Sequence, residues 1–271
     1  MLHLLQLEWK KIIPNRAFKI AIGMYLVLLP LLFFTIKSAM RPSRHDMEQL
    51  AIIETLYKFP NIWDTVSYWA SWLTFFLLVY LAVWMVTSEY SQKTMRQNLI
   101  TGMERRSYLM GKLIMMASLN LGATLYMASV AGVLGHLAGG YGDPFGHEIY
   151  AIGRFFVQNM FYMSFAFMLA ILLKRSGLAM IMFFAYVLIV ERVIRYLVFL
   201  NLLENLRLGS YFPASAAWDV VPMYMVKKVP NFMDDDVVNI ILSYDTATGL
   251  TIGYTALFLF IAYRVFMSRD L

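Results

Sequence analysis

The 271-residue sequence has no cysteine, which excludes disulfide bonds and thiolate metal sites. Charge is scarce as well: Asp, Glu, Lys and Arg make up 15% of the residues, against roughly 25% in an ordinary soluble domain. The shortage is uneven. Residues 20–36, 65–88, 113–142, 155–173, 176–190 and 246–263 contain no Asp, Glu, Lys or Arg at all. About twenty apolar residues at 1.5 Å rise cross a hydrocarbon core of roughly 30 Å. Five of these runs therefore suffice as they stand, and the run from 176 suffices if its helix continues to about Phe199. Backbone in lipid must satisfy its own polar groups, so with 60% hydrophobic residues the reading is an all-α membrane protein. Its six spans fall at approximately 18–38, 65–88, 109–138, 153–173, 177–199 and 247–266. The longest connections, 37–64 and 201–245, are too short for a separate globular domain, so residues 1–271 read as a single transmembrane domain.

Catalytic signatures are missing too. His3, His45, His136 and His147 make no H-E-x-x-H or paired metal spacing, and Ser and Asp are scattered without a nucleophile motif. No G-x-x-x-x-G-K-[ST] is present. Gly111–Lys112 lacks the first glycine, the following hydroxyl and a preceding strand. The twenty methionines read as soft helix packing rather than a copper path.

What the sequence does have is an alternation of charge. With the N-terminus placed inside, the inner segments hold thirteen basic residues against four acidic, and the outer segments eight basic against twelve acidic. Lys/Arg enrichment in short cytoplasmic loops is the positive-inside bias, so both termini are expected on the cytoplasmic side. The net charge of +6 then reflects topology and anionic lipid, not nucleic acid. Ahead of the first run, Leu2, Leu5, Trp9, Ile12 and Ile13 recur at helical spacing until Pro14 interrupts, as in a helix lying in the headgroup plane. The length of the first run, with Lys37 where a cleavage site wants a small residue, reads as a retained signal anchor.

Residues 89–112, EYSQKTMRQNLITGMERRSYLMGK, form the most informative polar segment. Met95, Leu99 and Met103 make a narrow apolar stripe, and Glu89, Gln92, Lys93, Arg96, Gln97 and Asn98 a polar surface. Gly102 is placed to end the helix. Spacing alone leaves two readings: a docking knob for a soluble partner, and a solvated loop with membrane-proximal basic residues.

The run Glu89, Thr94, Arg96, Leu99, Arg105 or Arg106, and Lys112 resembles the cytoplasmic connection in the membrane subunits of type-2 ABC exporters. There, a glutamate ending the second span leads into a coupling helix, then an arginine, then a lysine entering the third. Lys93 stands where that family usually has glycine, and Gly102–Met103 where it often has proline in the turn. The layout of the whole chain is similar too, including an outer segment between spans five and six that partly re-enters the membrane. The resemblance implies a bacterial inner-membrane permease, a homodimer or paralogous heterodimer. It would pair with ABC ATPase subunits that bind ATP and Mg²⁺, with no cofactor in this chain. It also implies a coupling helix over about 90–101, with Glu89, Thr94, Met95, Arg96, Gln97, Leu99 and Arg105 as the coupling residues.

Charges inside the membrane are few, and Glu191, Arg192 and Arg195 sit near the outer end of span five. Glu191 and Arg195 at i,i+4 can pair, and a charge at membrane depth should face protein or water. A structural pair and the lining of a substrate path both remain open. Ala131, Gly135 and Gly139, and likewise Gly249 and Gly253, repeat every four residues, which permits close helix approach. Residues 201–245 mix short apolar pieces with Pro213, Pro222 and Pro230, consistent with two short re-entrant helices around Trp218 or with a surface loop. The acidic run 234–236 reads as a solvated turn. A non-transporting scaffold or channel, and a membrane-embedded enzyme, are the other function classes. The substrate is not written in the sequence.

Overall fold

The computed structural model describes residues 2–39, 55–139, 143–144, 146–200, 206–223 and 240–268. Every regular element among them is helical. In order these are α1 Leu2–Ile12, α2 Arg16–Ala39, α3 Ile62–Ser91, α4 Thr94–Ile100, α5 Arg105–Leu137 and α6 Tyr150–Leu173. Then come α7 Ser176–Phe184, α8 Glu191–Ile194, α9 Leu206–Gly209, α10 Pro213–Val220 and α11 Tyr244–Ser268. Six stretches are long and apolar enough to cross a membrane: Arg16–Thr35, Ile62–Ser91, Arg105–Leu137, His147–Leu173, Ser176–Val198 and Tyr244–Ser268. They are spans one to six. Span five does continue as its length required: α7 and α8 are joined and extended by π-helical turns, Ala185–Val190 and Arg195–Leu200. The acidic run 234–236 lies outside the described residues.

Local chemistry sets the boundaries. Pro14 has no N–H to continue α1, and Asn15 Oδ1 accepts from Ala17 N–H at 2.8 Å to start α2. Gly102 takes φ +101°, a conformation that glycine adopts without steric cost. With it the Met103 N–H turns back to the Asn98 carbonyl at 3.0 Å, which ends α4.

Spans two and four form the centre of the bundle, each two-thirds buried over its apolar window, whereas spans five and six are about one-fifth buried. The reason lies in their side chains. Phe75 on α3 meets Tyr162 on α6 at 5.0 Å and Phe183 on α7 at 5.5 Å between ring centres. Phe165 on α6 stacks on Phe258 of α11 at 4.8 Å. Such offset and edge contacts add to the van der Waals packing that holds helices together in lipid. Met115, Met116, Met127 and Met163 are fully buried among them, in keeping with methionine as a gap filler. Span one is tied to span three by two hydroxyls: Tyr25 donates to the Ala123 carbonyl at 3.0 Å and Tyr126 to the Leu26 carbonyl.

Of the small-residue stripe, Ala131 and Gly135 on α5 are buried inside the chain, whereas Gly139 lies past the end of α5 and is exposed. A Cβ at Gly135 would come within 2.6 Å of the Phe59 ring, so only glycine admits that contact. Gly249 and Gly253 have no atom within 4 Å of a Cβ position, and their side of α11 is open.

Candidate functional site

At one end of the bundle, α3 turns into α4 through Gln92 and Lys93. Lys93 adopts φ +58°, in the left-handed region that costs an L-residue about 1–2 kcal/mol. This reversal starts α4 at Thr94 rather than 90, because Tyr90 and Ser91 still belong to span two. Thr94 Oγ1 donates back to the Glu89 carbonyl at 3.5 Å.

The two faces of α4 divide differently from the spacing argument. Met95 is buried at 3% exposure against the bundle, so the expected apolar stripe is used within the chain. Met103 packs on the same core. The side chain of Leu99 lies outside the described residues. Arg96 and Gln97 are exposed, as the pattern required, and beside them Ile100 is 76% exposed. Sequence reasoning missed Ile100 because it sits off the Met95–Met103 stripe. The outward face of α4 thus combines a cation, an amide and one bare apolar side chain.

Glu89 is the main correction. Expected on the polar surface, it is buried, because Lys112, about two turns into α5, reaches across to it. Lys112 Nζ donates to Glu89 Oε1 at 2.5 Å and to Glu8 Oε2 at 2.6 Å, and is itself 2% exposed. Lys11 Nζ also bonds Glu8 and Glu89, each at 3.2 Å. Two carboxylates and two ammonium groups therefore neutralise one another at the meeting point of α1, span two and span three. Partial burial works to lower the Lys11 pKa, but the Glu89 and Glu8 carboxylates outweigh it and hold the pKa above the ordinary lysine value. Glu8 and Lys11 sit one turn apart on the inner side of α1. Their three-residue spacing was the one available signal for them. A cavity of about 320 Å³ lies between this network and α4, lined by Lys11, Asn15, Glu89, Gln92, Thr94 and Gln97 among others.

The start of span three is also joined to the end of span six. Arg105 Nη1 donates to the Met267 carbonyl at 3.1 Å, a cation at a helix C-terminus where the dipole favours it. Tyr108 stacks on Phe266 with ring centres 5.4 Å apart. Spans two, three and six and α1 are thus linked to one another at this end of the bundle.

The charges in span five are arranged otherwise than by mutual pairing. Glu191 Oε2 accepts from Ala214 N–H at 2.8 Å, and its Oε1 accepts from Ser215 N–H. A carboxylate there meets two free N–H groups and the positive end of α10. Arg195 instead donates to Ser210 Oγ at 3.0 Å. Among the described residues no Glu191–Arg195 ion pair forms. The guanidinium of Arg192 lies 5.7 Å from the centre of the Trp218 ring. At the same end of the bundle, Arg154 pairs with Asp64 at 2.7 Å and covers the Tyr244 ring at 3.8 Å. That clamp joins the starts of spans two, four and six, and its members carried no local motif.

A family model described as ABC-2 family transporter protein matches residues 4–190. That stretch holds α1 from Leu4 onward, the first four spans, α4 and span five as far as Val190. No curated protein matches the chain.

Proposed function

The chain belongs to the ABC-2 transporter family, and from that premise we propose that it is the permease subunit of a bacterial exporter working by ATP-driven alternating access. Family membership and six apolar helices make it a multi-pass membrane subunit of a transporter, and membership implies ABC ATPase subunits as partners. In the finer reading, two permease chains, identical or paralogous, pair with two ATPases in the inner membrane, and ATP and Mg²⁺ are bound by those partners. Both termini face the cytoplasm, α1 lies in the headgroup plane, and α9 and α10 re-enter the membrane from outside. The positive-inside charge count supports this orientation. Single cysteines in place of Ser91 and Ser176, both exposed, test it: labelling from outside intact cells would reverse the topology.

One observation carries the functional reading. The exposed face of α4, with Arg96, Gln97 and Ile100, stands on a base fixed by the buried Glu8–Lys112–Glu89 network. A helix held at its base by charge and by Met95, and presenting exposed side chains outward, supports a role as the coupling helix. Motion of a docked ATPase would reach spans two and three through Glu89 and Lys112, α1 through Glu8, and span six through Arg105. Glu89, Thr94 and Met95 then position α4, whereas Arg96 and Gln97 meet the partner. The test is co-purification of the full chain with its ATPase, followed by transport-coupled ATP hydrolysis. A chain that binds no ATPase would be a scaffold or channel instead.

A further inference from the structure

A second cavity, of about 340 Å³, opens beside span five and is lined by Val187, Arg192, Tyr196, Ser215, Trp218 and Asp219 among others. Glu191 lies about 20 Å along span five from Ser176 at helical rise, so the cavity sits in the hydrocarbon half remote from α4. Charge at that depth is expensive and marks function more often than accident.

The carboxylates bordering this cavity are occupied. Glu191 is held by two backbone N–H groups, and Asp219 accepts from Leu242 N–H at 3.0 Å within electrostatic reach of Arg195. The donors are not all occupied. Arg192 has no ion pair among the described residues and makes only its ring contact with Trp218. Among the described residues Trp218 Nε1–H is buried without an acceptor, while its ring is fixed against Trp72 at 4.7 Å. A buried donor left unpaired costs about 1–3 kcal/mol, so an acceptor is called for. Beside the cavity, Ile189, Val193, Tyr196 and Leu197 are all exposed along span five.

We propose that this cavity binds the anionic phosphate headgroup of an amphiphile from the surrounding leaflet, with Arg192 and the Trp218 indole N–H as donors. The chains of the amphiphile lie along Ile189, Val193 and Leu197. A cation is disfavoured because both bordering carboxylates already have donors. A free aqueous anion would have to reach hydrocarbon depth unaided, whereas a lipid or lipid-linked phosphate arrives with its own apolar chains. This inference rests on the membrane reading and is independent of ATPase docking at α4.

The experiment uses the full chain purified in a neutral detergent. Binding of phosphatidylglycerol is measured by native mass spectrometry and by thermal shift, with phosphatidylcholine and excess inorganic phosphate as the comparison arms. Arg192→Gln should weaken phosphatidylglycerol binding about thirtyfold and Trp218→Phe, which keeps an aromatic ring without the N–H, about tenfold, as for lost hydrogen bonds to a charged group. Lipid-free melting should stay near that of the parent chain. Unchanged phosphatidylglycerol binding in a folded Trp218→Phe variant overturns the site, even if Arg192→Gln fails to fold. Equal binding of phosphatidylcholine removes the anion preference and overturns it too, and displacement by inorganic phosphate alone overturns the amphiphile as the source.

Discussion

Lys112 and Glu89 form a buried ion pair, Nζ to Oε1 2.5 Å, that closes the two ends of the segment carrying α4. The chain leaves span two at Ser91 and re-enters at Arg105, and this pair fixes the distance between the two. Glu8 joins the pair from α1 at 2.6 Å, and Lys11, at 3.2 Å from both carboxylates, completes the charge balance. Removing the cation would leave two carboxylates with only half-exposed Lys11 between them.

Lys112→Met should therefore destabilise the chain by about 3–5 kcal/mol, the usual loss when one partner of a buried ion pair is deleted. The measurement is thermal unfolding in detergent. Neutralising the carboxylates as well, with Glu8→Gln and Glu89→Gln, should recover part of the loss, because no buried charge then lacks a partner. Unchanged melting of Lys112→Met would remove the network from the account.

On α4, the two faces should respond differently. Arg96→Glu and Ile100→Asp change only exposed side chains, so melting should stay within about 0.5 kcal/mol of the parent. Association with the ATPase should fall about thirtyfold, as for loss of a 2 kcal/mol contact. Met95→Asp places a carboxylate in the core and should lower melting itself. Normal ATPase binding in both exposed variants would make α4 a solvated connection.

Lys93 tests the turn. Its φ of +58° strains a lysine and suits glycine, so Lys93→Gly should be neutral or raise stability by up to about 1 kcal/mol. Lys93→Val should lower it by about 1–2 kcal/mol, since a β-branched side chain fits that region worst. A melting point that falls for glycine and not for valine would rule out the reversed turn.

Glu191 should depend on α10 and little on Arg195. Glu191→Ala strips two acceptors from backbone N–H groups at a helix start and should cost about 2–3 kcal/mol. Glu191→Gln keeps one acceptor but loses the charge favoured there, and should cost about 1–2 kcal/mol. Combining Glu191→Gln with Arg195→Gln in a double-mutant cycle should give a coupling below about 0.5 kcal/mol. Melting curves supply all four corners, and a coupling above 1 kcal/mol would restore the i,i+4 pair.

The sequence by itself determined the number of spans, the helical class and the end of α4. Each of these follows from local physics: uncharged runs long enough for a bilayer, backbone that must bond to itself in lipid, and a glycine able to take positive φ at 102. It also showed the polar side of α4, because Arg96 and Gln97 need only solvent. The tertiary structure decided where the remaining charges go. Glu89 looked like a surface residue until Lys112, Lys11 and Glu8 arrived from two other helices. Glu191 had a partner four residues away in sequence, yet two N–H groups 23 and 24 residues on proved the better match. Periodicity finds the face of a helix but not what stands opposite it, and a buried charge is settled by whichever donors the whole bundle brings within hydrogen-bond reach.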